Sequence, residues 1–290
     1  MLVGVLLAGC NAFGTGDTGS CNDTEECLAN AEVALDQGDY DSAVSALRTA
    51  RENSPDNPEV RAKLSAALYG QADLDVFDLQ GVAEYVSDLE ENAETAVRTK
   101  THVGNTLACN VSSAEPRPTE QGYTDLDLNE NDSDENDSFR KISRKDSTIE
   151  EVERLLPKKV EESAAYQSLG ERDKVRMLNS ATFTNIALAI LNVQAKSDEV
   201  GGHLYQRTGG GDDVVYCAPN EKTLDELQCA AYEETTEGGG LTRGIANFRE
   251  KIRLFNDTGQ TGEEEGPVVD ALNQLKTAVQ SNIDDGDCGG

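Results

Sequence analysis

Residues 28–55 read LANAEVALDQGDYDSAVSALRTARENSP, and their spacing decides the fold. Two helical runs meet at Asp36-Gln37-Gly38-Asp39-Tyr40-Asp41. Leu28, Ala31, Val33, Ala34 and Leu35 are the apolar positions of the first run. Tyr40, Ala43, Val44, Leu47 and Ala50 then recur at three- and four-residue steps, one face of an α-helix. Gly38 ends the first helix, Asp39 or Asp41 caps the second, and Pro55 closes it. Ala43 and Ala50 fall where two helices come close, and larger side chains would hold them apart.

Gly38, Tyr40, Ala43, Leu47, Ala50 and Pro55, with Leu28 and Ala31 on the first helix, resemble a tetratricopeptide repeat. The resemblance implies stacked helical hairpins that offer grooves to peptides or partner proteins. Another first helix begins at Asn57-Pro58-Glu59-Val60, with Leu64, Ala67 and Leu68 on one stripe. A second Gly-Asp-Tyr turn is missing: the chain reads Gly70-Gln71-Ala72-Asp73-Leu74 instead. The regular array therefore stops, and other helices have to cover the open face. The residues from Asp75 to Leu79 lead into one of them, and Gly81 to Thr99 is a further amphipathic run. The expected fold class is all-α, a TPR-like helical region over 23–109 extended into an irregular bundle or solenoid by a helical part over 148–290.

Residues 110–147 separate these parts. Glu115-Pro116-Arg117-Pro118 breaks helix, and Asp125–Ser138 (DLDLNENDSDENDS) carries seven acidic residues and no base. Such a run buries too little apolar surface to order itself, so a long disordered acidic loop is expected. Alternating Asp125, Asp127, Asn129, Asp132 and Asp134 are weak calcium candidates. The register is poor: Glu130 stands where an EF-hand needs Gly, and Asn136 where it needs a bidentate Glu. A plain acidic loop is the preferred reading, with no metal assigned.

Further on, Asp146-Ser147-Thr148 caps a helix from Ile149 to Leu156, and another follows Pro157 from Lys158 to Leu169. Arg172–Ala195 is the best core candidate. Its run Ile186-Ala187-Leu188-Ala189-Ile190-Leu191 invites a membrane reading, but Asn179, Asn185, Asn192 and Gln194 would be costly in hydrocarbon, so a central bundle helix is expected. The trio Gly209-Gly210-Gly211 runs into Asp212-Asp213, which would repel a phosphate, so it is a loop. Val214-Val215-Tyr216 is a short extended segment. Thr223–Thr235, Leu241–Phe255 and Pro267–Ile283 are the remaining helices.

At the start, Leu7-Ala8-Gly9-Cys10 closes an apolar run and resembles the lipobox of bacterial lipoproteins. The resemblance implies that residues 1–9 are removed, Cys10 is lipidated, and 10–22 form anchor and flexible tether. No Lys or Arg lies between Met1 and Cys10, so the true start is expected upstream. Asn11 in place of Asp points to the outer membrane, facing the periplasm or the cell surface. Setting Cys10 aside leaves Cys21, Cys27, Cys109, Cys217, Cys229 and Cys288, an even set that suits disulfides in an exported chain. Loop length favours Cys21–Cys27 and Cys217–Cys229, with Cys109–Cys288 left by elimination.

The whole chain has 290 residues, 55 acidic against 25 basic, a net charge of −30 and a mean hydropathy of −0.54. Nucleic acid and anionic lipid surfaces are poor partners for that balance. The surplus carboxylates read most simply as keeping the surface hydrated and soluble. Catalytic signals are lacking: His102 and His203 are isolated, and no glycine-flanked serine or CxxC occurs. No cofactor is implied. The expectation is a non-enzymatic, lipid-anchored scaffold for protein partners. The alternative is a solute-binding accessory lipoprotein, similar in plan to the tetratricopeptide lipoproteins of tripartite transporters.

Overall fold

The computed structural model describes residues 21–74, 109–110, 117–118, 123–125, 142, 144–199, 201, 203–207, 214–217, 221–257, 266–281 and 288. Helix α1 (Thr24–Asp36) and α2 (Tyr40–Asn53) form the antiparallel hairpin, and α3 (Pro58–Gln71) lies against α2. Each start is capped by a short acceptor. Asp23 accepts from the Glu26 amide at 2.8 Å, Asp39 from Ser42 at 3.1 Å, and Asn57 from Glu59 at 2.9 Å, with Pro58 in the first turn. The hairpin turn needs Gly38 at φ 71°, a left-handed conformation in which the Asp39 amide reaches back to the Ala34 carbonyl at 2.9 Å.

Beyond α3 come α4 (Asp146–Leu155), α5 (Ala164–Gln167), α6 (Glu171–Glu199), α7 (Glu221–Thr235), α8 (Gly240–Asp257) and α9 (Gly266–Ser281). The 29-residue α6 is the spine: it packs on α3 and α4, and on α7 and α8. Its apolar stretch is core, with Phe183, Ile186, Ala187 and Ala189 all buried. No helix among the described residues is long and apolar enough to cross a membrane. Small residues let α8 come close: a Cβ at Gly244 would collide with the Ile186 side chain, and one at Gly240 with the Asn185 carbonyl. One continuous core runs from Ala31, Leu47 and Leu64 through Ile149 and Ile186 to Phe248 and Leu272. A second cluster of Ala62, Val160, Tyr166, Met177 and Leu178 lies under the α4–α5 connection.

The architecture is the expected all-helical, repeat-like bundle, with two small antiparallel sheets beside it. Strand β1 (Cys109–Asn110) pairs with β2 (Arg117–Pro118). Strand β3 (Tyr123–Asp125) pairs with β4 (His203–Arg207), which pairs with β5 (Val214–Cys217). Part of the 110–147 stretch, expected as loop, is therefore strand: Tyr123 sits opposite Arg207, a partner too distant in sequence for local patterning to reveal. Residues 75–108 and 126–141, including Asp127, Asn129, Asp132, Asp134 and His102, lie outside the described residues.

Other expectations shift as well. The helix expected over 158–169 shrinks to α5, because the chain after Pro157 makes turns until Ser163 caps Tyr166 at 3.1 Å. Helix α4 starts at Asp146, earlier than expected, and no side chain caps it. Of the three expected disulfides, one is present and the other two are not. Cys21 joins Cys27, with Cα atoms 5.1 Å apart, and Cys229 joins Cys288, 5.2 Å apart. The second bond excludes both Cys217–Cys229 and Cys109–Cys288. Cys229 rides on α7, which packs beside α9 and so meets the end of the chain, whereas Cys217 ends β5 and is buried in a disulfide of its own.

Candidate functional site

Among the described residues, the large hydrophobic side chains that stay exposed, Val33 and Tyr40, both lie on the repeat hairpin. Ala31, Ala43, Leu47 and Ala50 are fully buried between its helices and Leu28 packs at the core's edge, while Pro55 is exposed just past α2. Tyr40 plays a different part. Its ring covers Gly70 on α3, where any Cβ would fall inside the ring, yet 37% of the residue faces solvent. Val33 on α1 is 49% exposed. Asp39 and Asp41 flank Tyr40 and are exposed, as is Asp73 at the end of α3. Asp41 accepts from the Gln71 amide at 2.6 Å, and Ser42 holds the Asp39 carboxyl below the usual carboxylate range. The hairpin tip is thus an acidic rim with two exposed apolar side chains.

On another face the hairpin is committed. Glu32 of α1 takes a two-pronged pair of hydrogen bonds from Arg176 of α6, at 2.8 and 2.9 Å. It also pairs with Lys63 of α3 and with Arg172. Lys63, 5% exposed, additionally meets Glu59 and Asp173 at 3.4 Å each, and Asp173 meets Arg176 at 2.9 Å. Asp36 pairs with Arg172. Partial burial pushes the Glu32 carboxyl up, but the hydrogen bonds and charges of Arg176 and Lys63 outweigh it and hold the group down at about 2. Burial likewise opposes the Arg176 charge, and Glu32 and Asp173 more than restore it.

Three bases meet four acids here, which leaves the seam one net negative charge, so it repels an added anion. It is a staple between α1, α3 and α6. On the far side Arg48 of α2 meets Glu151 of α4 at 3.1 Å, and Arg61 donates to the Leu155 carbonyl at 2.6 Å. The helices after α3 therefore do what the next repeat of an array would do.

A cleft of about 370 Å³ opens where α6, α7 and α8 meet, lined by Glu153, Leu188, Asn192, Glu234 and Arg243 and the Gly238–Gly240 turn. Its polar groups are largely spoken for. Glu234 accepts from the Gly240 amide at 2.7 Å and from Asn192 at 2.9 Å, and Arg243 donates to Asn185 at 3.1 Å. An open, acidic cleft of this kind does not suit an apolar solute. No group of three or more His, Cys, Asp or Glu able to hold a metal occurs among the described residues. Asp125 ends β3, His203 starts β4, and Cys10 lies outside the described residues.

The charged seam had one signal in the sequence: Lys63 interrupts the buried stripe of Val60, Leu64 and Ala67. Its partners Glu32 and Arg176 are too far away in the chain to be paired by inspection.

The tetratricopeptide repeat family model matches residues 34–75, from the end of α1 through α2 and α3. No curated protein and no solved structure matches the chain. The matched segment is the hairpin's turn, its second helix and the helix packed against it, and it brings the general expectation of such repeats, a scaffold for protein–protein contacts.

Proposed function

We propose that this chain is a non-enzymatic scaffold of the bacterial cell envelope, tethered by a lipid on Cys10 and receiving a protein partner at the tip of the repeat hairpin. One observation carries the partner site: the hairpin's seam with α6 is filled by its own ion pairs, while Val33 and Tyr40 stay exposed amid solvent-exposed carboxylates. Such a rim suits a partner whose surface is basic with an apolar side chain at its centre. The oxidised Cys21–Cys27 and Cys229–Cys288 pairs support an exported chain, since such bonds persist outside the reducing cytosol. Outer-membrane residence, facing the periplasm or the cell surface, follows from the lipobox-like Leu7-Ala8-Gly9-Cys10 and from Asn11.

A photo-crosslinking residue placed at Val33, with a control at exposed Gln167 on α5, tests the partner site in the native envelope. The expected result is one dominant protein adduct from position 33, absent at 167 and weakened by salt. Equal labelling at both positions, or none at 33, would refute the site. Mass spectrometry of the N-terminal peptide tests the tether: an unmodified Cys10 with residues 1–9 retained removes it.

A further inference from the structure

We propose that Asn22 is an acceptor for an N-linked glycan. Asn22-Asp23-Thr24 is an Asn-X-Thr acceptor sequence, and the pattern recurs with Ser or Thr at Asn110, Asn131, Asn136 and Asn256. The three of these five that lie among the described residues sit beside or near the ends of elements. Asn22 precedes α1, Asn110 ends β1 and Asn256 is next to last in α8. Asn179, Asn185, Asn192, Asn247 and Asn273, inside helices, have no hydroxyl two residues on. A bulky, hydrated glycan is tolerated at the ends of elements and not in their packed middles.

Asn22 itself is exposed. Its side-chain amide makes a long 3.5 Å contact with exposed Glu26, which is readily given up. The preceding residue, Cys21, is oxidised to Cys27, so the acceptor adjoins a bond formed outside the cytosol, where glycan transfer also takes place. In the transfer, Asn22 Nδ2 attacks C1 of the first sugar of a polyprenyl-diphosphate-linked oligosaccharide. The N–C1 bond forms as the C1–O bond to the diphosphate breaks. The lipid diphosphate leaves with the bonding pair, and the amide proton passes to the transferase's base. Nothing is oxidised or reduced. The glycan would stand at the junction of tether and fold, beside the hairpin and away from its α6 seam.

The inference rests on the export reading, and one digest separates the two. The protein is purified from the cells that make it with its free thiols alkylated at lysis, then reduced and cut on the N-terminal side of aspartate, which places Cys10 before Asp17 and Asn22 in the fragment that begins there. The expected result is a sugar-mass series on the Asn22 fragment of wild type and T24S, and its loss in T24A and N22Q. A bare Asn22 in protein whose Cys10 is acylated and whose other cysteines were oxidised overturns the glycan alone. A glycan mass that survives in T24A also overturns it, since the acceptor sequence is then irrelevant. A bare Asn22 together with an unmodified Cys10 and reduced thiols overturns the export reading and the glycan with it.

Discussion

Glu32→Gln is the substitution that weighs most on how the repeat hairpin is joined to the rest of the protein. It keeps the shape of the side chain and removes the charge at which Arg176, Lys63 and Arg172 converge. The folded carboxyl sits at about 2 against an ordinary value of 4.5. At roughly 1.4 kcal/mol for each unit, that difference corresponds to about 3 kcal/mol. Glu32 keeps 26% of its side chain in solvent, so screening reduces the figure to about 1–2 kcal/mol. The loss falls on Lys63, which is nearly out of water and would keep only Glu59 and Asp173 for partners.

The pH dependence identifies the mechanism. A carboxyl whose folded pKa is depressed stabilises the fold above its unfolded value, and the stabilisation is lost as pH falls through the folded value. The gap between wild type and E32Q is therefore full at pH 7, begins to shrink below about 4.5, and is mostly gone near 2. Only the difference is informative, because a chain with net charge −30 also gains stability in acid as carboxylate repulsion is relieved. Urea unfolding of both proteins at pH 7 and pH 3, disulfides intact, measures it. A gap equally wide at both pH values would show that the variant acts through packing and that the seam is not held by charge.

Three further outcomes follow from the geometry. Gly38→Ala places a Cβ at φ 71° and is expected to cost about 1 kcal/mol in urea melts, the usual penalty for an L-residue in that region. Gly70→Ala drives a methyl group into the Tyr40 ring and is expected to cost about 1–3 kcal/mol as overpacking; Tyr40→Ala in the same chain should recover part of it, so strict additivity in the double-mutant cycle would contradict the contact. Opening Cys229–Cys288, separated by 59 positions, should lower stability by up to about 4 kcal/mol in the chain-entropy model, whereas opening Cys21–Cys27, separated by 6, should cost about 2; equal midpoints for the two Cys→Ser variants would reject that ordering.

The hairpin was legible because its information is local. Period, turn and caps all lie within residues 23–58, and Gly38 and Asp39 announce a left-handed turn and a cap without reference to distant chain. The second turn shows where that legibility ends. Asp73, at φ 56°, takes the conformation Gly38 takes in the first turn, and the Leu74 amide returns to the Tyr69 carbonyl as the Asp39 amide returns to Ala34. The turn survives as geometry after its glycine has gone, because Asp tolerates the left-handed region better than most residues. Cys21–Cys27 was legible from its short loop, but the strand pairing and the Cys229–Cys288 bond were illegible for the opposite reason. Tyr123 against Arg207 and Cys229 against Cys288 are partners far apart in sequence, and loop length favoured a bond from Cys217 to Cys229 that tertiary placement excludes.

That contrast bears on where a partner binds. In an open array each repeat covers its predecessor, and the face left over is a groove of repeating form. Here, among the described residues, α3 is covered by α4 and α6, which come from much later in the chain. Their contacts are ionic at the edges, through Arg48–Glu151 and the Glu32 seam, and apolar at the centre, where the Tyr69 and Phe183 rings meet at 4.8 Å. A seam with that cross-section is an internal interface, and a ligand entering it would have to displace compensated charges and buried rings together. The hairpin tip imposes no such cost, since Tyr40 and Val33 are already in water and the carboxylates beside them already solvated. Binding at the tip therefore begins from a lower desolvation penalty than binding at the seam, which is the physical ground for placing the partner there.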